Sequence, residues 1–266
     1  MNYLDSIILG TLQGLTEFLP VSSSGHLVIF QKLLGLKMES LSFEVFVHFG
    51  TLLSVVVIYF SDIIEMIKSF FSGLSRPKYN FQSDPYFKLS IFVIIGTIPA
   101  ALAGIFLEDF FTSIFHNVNL VGFSLIFTGV VLWSTRYIRI HSQSLSSGKS
   151  ILIGMAQMLA IFPGISRSGM TISAGLFTGI SRKEAARFSF LLAIPAIAGS
   201  MVFTLADLFS GNIDGPRIRI LLVGMITAFV IGYLAIKFLL KILESGKFSL
   251  FAPYCLIVAA LVLIFL

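Results

Sequence analysis

A carboxylate, an amide, three serine hydroxyls and an imidazole fall within fourteen residues near the start of the chain, in Gln13-Gly-Leu-Thr-Glu17-Phe-Leu-Pro-Val-Ser22-Ser-Ser-Gly-His26. Those residue types suit phosphate chemistry. Glu17 is a candidate general base or a carboxylate ligand for a hard cation such as Mg²⁺ or Ca²⁺. A serine within reach of a base can be a nucleophile or a donor to phosphate oxygens, and His26 can serve as acid or base. Gln13 and Glu17 are four residues apart and share one helix face. Ser22, Ser23, Ser24 and Gly25 open the next short helix, whose free N–H groups favour an anion. A second polar island, Pro163-Gly-Ile-Ser166-Arg167-Ser168-Gly169, opens another short helix and adds a guanidinium fork matched to phosphate.

Each residue also has a plainer reading. Ser22 and Ser24 can be helix caps. His26 can be an interhelical hydrogen-bond partner, and Arg167 can pair with a carboxylate to hold helices together. His48 lies one turn after Glu44, so the two can interact as an i,i+4 pair. His116 and His141 fall in loops and read as surface residues. The chain has no P-loop, no zinc-ligand spacing and no Gly-rich dinucleotide turn.

The elements that must position these groups are hydrophobic. The 266 residues are 56% hydrophobic and 12% charged, with mean hydropathy +0.98. Soluble domains carry roughly 25% charged residues, so this composition points to a polytopic all-α membrane protein. The net charge of +5 is explained better by basic cytoplasmic loops than by a nucleic-acid partner. The single cysteine, Cys255, excludes a disulfide framework and a thiolate metal site. Met1 to Asp5 lacks a basic leader, so the chain is expected to insert as it stands.

Residues 2–19 and 22–35 are apolar pieces broken by Pro20 and the serines, which predicts a re-entrant helical hairpin. Spans are expected at 42–60 (running on as helix toward Phe71), 87–107 and 118–138. The pattern then restarts, with a second hairpin at 150–162 and 168–180 and spans at 184–208, 218–240 and 250–266. Ser181-Arg-Lys-Glu184 reads as a capping box, and Pro195 as a kink. Gly96, Ala100 and Gly104 line a small-residue face.

The restart is an internal repeat. At an offset of 144, Gly10, Gln13, Leu15, Phe18, Ser22, Ser24 and Gly25 meet identical residues, seven identities in sixteen positions. Gly96 and Gly104 meet Gly224 and Gly232. Each half, about 1–140 and 150–266 of a single membrane domain, holds one hairpin and three spans. Three is odd, so the halves are expected to be inverted, with the site where the hairpin tips meet. Thirteen basic residues fall on one side of this layout and four (Lys32, Lys37, Arg217, Arg219) on the other, so the first side is expected to be cytoplasmic and both termini external. Glu17, Ser23 and His26 do not recur in the second half.

Both islands, together with Ser181 to Pro195, resemble the signatures of the undecaprenyl-diphosphate phosphatase family of the bacitracin-resistance type. The resemblance runs over essentially the whole chain. It implies hydrolysis of undecaprenyl diphosphate at the outer face of the bacterial inner membrane, recycling the carrier lipid for peptidoglycan synthesis. It also implies dependence on a divalent cation and a homodimer. By the same resemblance, Glu17 is base or metal ligand, and Ser23 a nucleophile or phosphate donor. His26 is acid or base, Arg167 clamps the diphosphate, and Ser166 and Ser168 support the phosphates. The family's first motif allows Glu or Gln at its first position. With Gln13 there, Glu17 carries the acidic role alone. Gln13, Ser22, Ser24, Gly25 and Gly169 complete the expected binding set. The rival from another class is a lipid-phosphate transporter or flippase, which needs the Arg167 clamp but no nucleophile or base.

Overall fold

The computed structural model describes residues 1–34, 41–75, 81, 83–115, 117–138, 143–209 and 215–266. Of these, residues 31, 34, 41–42, 200, 202–209 and 215–217 are described by their backbone alone. The loop around Lys78, together with His116 and His141, lies outside the described residues.

Every element longer than one turn among the described residues is an α-helix. Long apolar runs leave the backbone no water to bond, and helices satisfy it internally. The first half contains α1 (Tyr3–Phe18), α2 (Ser23–Leu34), α3 (Leu41–Ile58), α4 (Phe60–Gly73), α5 (Pro85–Phe106), α6 (Glu108–Ile114) and α7 (Val118–Ser134). The second contains α8 (Ser147–Leu159), α9 (Arg167–Phe177), α10 (Arg182–Phe209), α11 (Gly215–Glu244) and α12 (Phe251–Phe265). Local chemistry sets several starts. Asn2 and Asp5 cap α1 reciprocally through bonds of 2.8 and 2.9 Å. Asp84 accepts from the Tyr86 and Phe87 amides, with Pro85 in the first turn of α5. Ser181 accepts from the Glu184 amide at the head of α10.

Four of the helices among the described residues are long and apolar enough to cross a membrane, at Pro85–Phe106, Val118–Tyr137, Ile218–Glu244 and Phe248–Phe265. The bent pair α3–α4 adds a fifth if counted as one span. The chain does not run straight from α3 toward Phe71. It turns by 79° between Ile58 and Phe60, through Tyr59, whose φ of −105° and ψ of 23° are not helical. The sequence changes character at that point. Asp62, Glu65 and Lys68 recur at three-residue spacing, so α4 has a polar face that α3 lacks. Arg187 of α10 pairs with Asp62 and lies over the Tyr86 ring, tying α4 to its neighbours. Outward faces are apolar, with Phe106, Ile264 and Phe265 each more than 70% exposed. Such surface suits lipid rather than water.

Glycines let the helices approach closely. A Cβ on Gly10 of α1 would sit 2.6 Å from the Gly224 carbonyl oxygen of α11. A Cβ on Gly154 of α8 would overlap the Gly96 carbonyl oxygen of α5. Both contacts use the residues that the repeat aligns, so the same glycine pair is built once from each half. Gly96 thus serves packing within the chain, whereas a Cβ on Gly104 would meet open space. Buried hydroxyls bond across the helices, from Ser6 to the Ile220 carbonyl at 2.6 Å and from Ser54 to the Phe229 carbonyl at 2.7 Å. The main apolar core, around Phe18, Val55, Phe92, Leu132, Phe188 and Leu191, draws on both halves.

Candidate active site

The two polar islands meet. Helices α2 and α9 both begin at the same cleft, of about 230 Å³. Their first turns are built alike. Ser22 Oγ accepts from the Gly25 amide at 3.2 Å and lies 3.3 Å from Ser24 Oγ. Ser166 Oγ accepts from the Gly169 amide at 3.1 Å and lies 3.3 Å from Ser168 Oγ. These are serine N-caps, so Ser22 and Ser166 stabilise the two helix starts that present free N–H groups to the cleft. The turns before them differ. Ser22 adopts φ +71°, the one non-glycine at positive φ among the described residues, whereas Gly164 takes φ +92° in the second half. A serine held in the left-handed region is strained, and such strain gathers at functional sites.

Glu17 is the hub. It is 7% exposed. Its Oε1 accepts from Arg167 Nη2 at 2.5 Å, joining residues 150 positions apart. Its Oε2 accepts from Ser23 Oγ at 2.6 Å and from Gln13 Nε2 at 2.7 Å. His48 Nε2 stands 3.8 Å from the same oxygen. A serine hydroxyl bonded to a buried carboxylate is a nucleophile–base pair in geometry, and the carboxylate is in turn oriented by an amide and a guanidinium.

The expected residues are placed unequally. Glu17, Ser22, Ser23, Ser24, Ser166 and Arg167 line the cleft. Gln13 is fully buried behind Glu17 and orients it rather than facing the cleft. Gly25 packs against Gly164, where a Cβ would come within 3.0 Å of its Cα. Ser168 is turned toward the Leu19 carbonyl at 3.3 Å, and Gly169 sits beside Pro20. His26 is 3% exposed and points away from the cleft, toward α12. Its Nδ1 lies 2.8 Å from the Ser22 carbonyl oxygen and its Nε2 2.7 Å from Tyr254 Oη, with the two rings nearly parallel at 8°. The ring therefore braces the strained Ser22 turn. Thr16, Glu44 and His48 also line the cleft, and so do the apolar Leu27, Phe115, Ile161, Ile165 and Ile197. The Glu44–His48 spacing was the readable signal for two of these. Tyr254 gave none beyond being a phenol in the last span.

A metal at Glu17 finds no ready ligand set. No group of three or more carboxylate, imidazole or thiolate side chains converges among the described residues. Both Glu17 oxygens are already engaged, one by a guanidinium. The described residues do not fit a cation held by protein groups alone.

The cleft thus combines phosphate donors and a nucleophile–base pair with a set of hydrocarbon side chains. That combination suits the phosphorylated head of a lipid. Comparison with known proteins agrees with a membrane lipid enzyme. Residues 6–261 match the family model described as bacitracin resistance protein BacA. The chain is 41% identical over 277 residues to the undecaprenyl-diphosphatase of Desulforapulum autotrophicum, covering 99% of this chain and 98% of the relative. It is 43% identical to that of Desulfosudis oleivorans (99% and 98% covered) and 43% identical to that of Korarchaeum cryptofilum (99% of both). The chain belongs to the bacitracin resistance protein BacA family.

Proposed function

We propose that the protein is a membrane-embedded phosphatase that hydrolyses undecaprenyl diphosphate to undecaprenyl phosphate and orthophosphate. The reaction returns the carrier lipid to cell-wall synthesis and underlies bacitracin resistance. The family match and the relatives' shared name support this reading. The observation that carries it is the convergence of Ser23 Oγ and Arg167 Nη2 on the one Glu17 carboxylate.

In this reading the terminal phosphate enters between the N-termini of α2 and α9. Ser23 Oγ attacks its phosphorus and gives its proton to Glu17 Oε2. The bond from phosphorus to the bridging oxygen breaks, and undecaprenyl phosphate leaves. Water then displaces Ser23, which recovers the proton, and orthophosphate departs. Phosphoryl transfer asks mainly for positioning and for donors to spread negative charge. Arg167 has five N–H donors, so those not bonded to Glu17 can reach phosphate oxygens. The apolar wall of Leu27, Ile161, Ile165 and Ile197 suits the first prenyl units. Any divalent-cation requirement belongs to a cation carried in by the diphosphate oxygens.

Finer features belong to the same proposal. The two halves form an inverted repeat of six spans and two re-entrant hairpins, supported by the paired glycine contacts and the paired serine caps. The basic side faces the cytoplasm, both termini and the cleft mouth face outward, and the membrane is the cytoplasmic (inner) one. The protein works as a homodimer. A flippase would have no use for the Ser23–Glu17 bond.

The test is purified protein in vesicles containing undecaprenyl diphosphate. Orthophosphate and undecaprenyl phosphate are expected in equal amounts. Intact diphosphate crossing the bilayer without phosphate release would replace the phosphatase with a carrier.

A further inference from the structure

We propose that His48, which lines the same cleft as Ser23 and Arg167, contacts the substrate's terminal phosphate as a binding residue. This rests on the phosphatase reading above and adds one more polar contact to the site.

Among the described residues two histidines lie in helices, and they are set differently. His26 is closed on both sides, with one ring nitrogen at the Ser22 carbonyl and the other at Tyr254 Oη, and it is 3% exposed. His48 is closed on one side only. Its Nδ1 lies 2.7 Å from the Glu44 carbonyl oxygen one turn back on α3, so Nδ1–H donates there and fixes the ring plane. The opposite edge is turned into the cleft, with 31% of the side chain exposed. Nε2 points toward Glu17 Oε2 at 3.8 Å, which is beyond hydrogen-bonding distance.

That gap is informative. Glu17 Oε2 already accepts from Ser23 and Gln13, so it does not need His48 to be satisfied. A ring oriented from behind, exposed in front and held short of the carboxylate is set to meet something else. The group that enters next to Ser23 is the phosphate under attack. The ionisable groups that line the cleft with His48 are the carboxyls of Glu17 and Glu44 and the guanidinium of Arg167. In the proposed complex Nε2–H donates a bond to a phosphate oxygen while Nδ1–H stays on the Glu44 carbonyl. His48 and Arg167 then hold the phosphate from α3 and α9, beside Ser23.

A contact made to the phosphate before and during reaction shows mainly in binding. The test measures KM and kcat for undecaprenyl diphosphate, and Kd for a methylene-bridged, non-hydrolysable analogue. The proteins are wild type, His48→Ala and His48→Gln. Gln is the informative variant, because its amide Nε2–H reaches about as far as the imidazole Nε2–H but cannot act as acid or base. Loss of one charge-assisted bond is expected to raise KM and Kd about tenfold or more in His48→Ala, with kcat within about threefold. His48→Gln is expected to return both to within about threefold of wild type. Unchanged KM and Kd in His48→Ala overturn the proposal. So does a His48→Gln variant that keeps wild-type KM and loses kcat, which would make the ring an acid–base group. Wild type that binds the analogue but releases no phosphate refutes the phosphatase reading, and the Kd comparison still decides His48. Thermal unfolding of each variant separates misfolding from a lost contact.

Discussion

The Glu17–Arg167 pair is the ion pair that joins the two polar islands among the described residues, and its removal can be worked through. At 2.5 Å and an effective dielectric constant of about 20, two unit charges attract by about 7 kcal/mol before desolvation is counted. Desolvation takes back much of that. The side chains are 6% and 19% exposed, so each ion has given up most of its water. Removing one partner strands the other in a dry site, which costs about 3–5 kcal/mol. Removing both strands no charge, although Gln13 and Ser23 lose their acceptor just as in Glu17→Ala alone. Glu17→Ala and Arg167→Ala should therefore each lower stability by about 3 kcal/mol or more, and the double variant should be little worse than either alone. The coupling energy is then at least about 2 kcal/mol, well above the additivity expected for distant sites. For a chain of this length, 3 kcal/mol corresponds to about 6–12 °C in Tm. The assay is thermal unfolding in detergent micelles of wild type, both single variants and the double variant. Additive losses would refute the reasoning, because they would mean the two residues do not share one buried interaction.

Four further outcomes follow from the same geometry. Ser23→Ala keeps the fold and loses at least about 100-fold in kcat if Ser23 attacks phosphorus; a rate within tenfold of wild type makes Ser23 a donor only, by the same phosphate-release assay. Gly154→Ala forces α8 away from α5 and costs about 1–3 kcal/mol, read as a lower Tm, whereas Gly104→Ala, which meets open space, leaves Tm within a degree or so. Tyr254→Phe removes the hydroxyl that braces His26 and loosens the Ser22 turn; a several-fold fall in kcat with a pH–rate profile of unchanged shape is expected, and a shifted profile would instead place His26 in the proton chemistry. A tag in the loop at Lys78 reads as cytoplasmic by accessibility labelling, and an external reading overturns the charge-based orientation.

Much of the site was legible because it repeats. Ser22, Ser24 and Gly25 recur as Ser166, Ser168 and Gly169, and in the structure both sets cap a helix at one cleft. Glu17 and Ser23, which do not recur, are bonded to each other. Residue spacing did not settle which way His26 would face. Ser23 and His26 are three apart on α2, close enough in angle to share a face, yet His26 turns outward to a tyrosine 228 residues away. That partner is a tertiary fact with no local signature. Gln13 was readable as a neighbour of Glu17, but its full burial depends on α11 closing over α1. The bend at Tyr59 was missed for a different reason. An apolar run followed by an amphipathic one is compatible with a single long helix, and the Asp62–Arg187 pair that ties α4 in its bent position joins residues 125 apart and leaves no local signature.

The most direct measurement compares wild type with Glu17→Gln in one phosphate-release assay on undecaprenyl diphosphate, with Kd for the non-hydrolysable analogue measured alongside. Gln keeps the size of the side chain and one accepting oxygen, but its NH2 cannot accept from a donor and it cannot take the Ser23 proton. Wild type is expected to release orthophosphate, and Glu17→Gln to bind the analogue while losing about 100-fold or more in kcat. A Glu17→Gln protein as fast as wild type would contradict hydrolysis at the junction of the two islands.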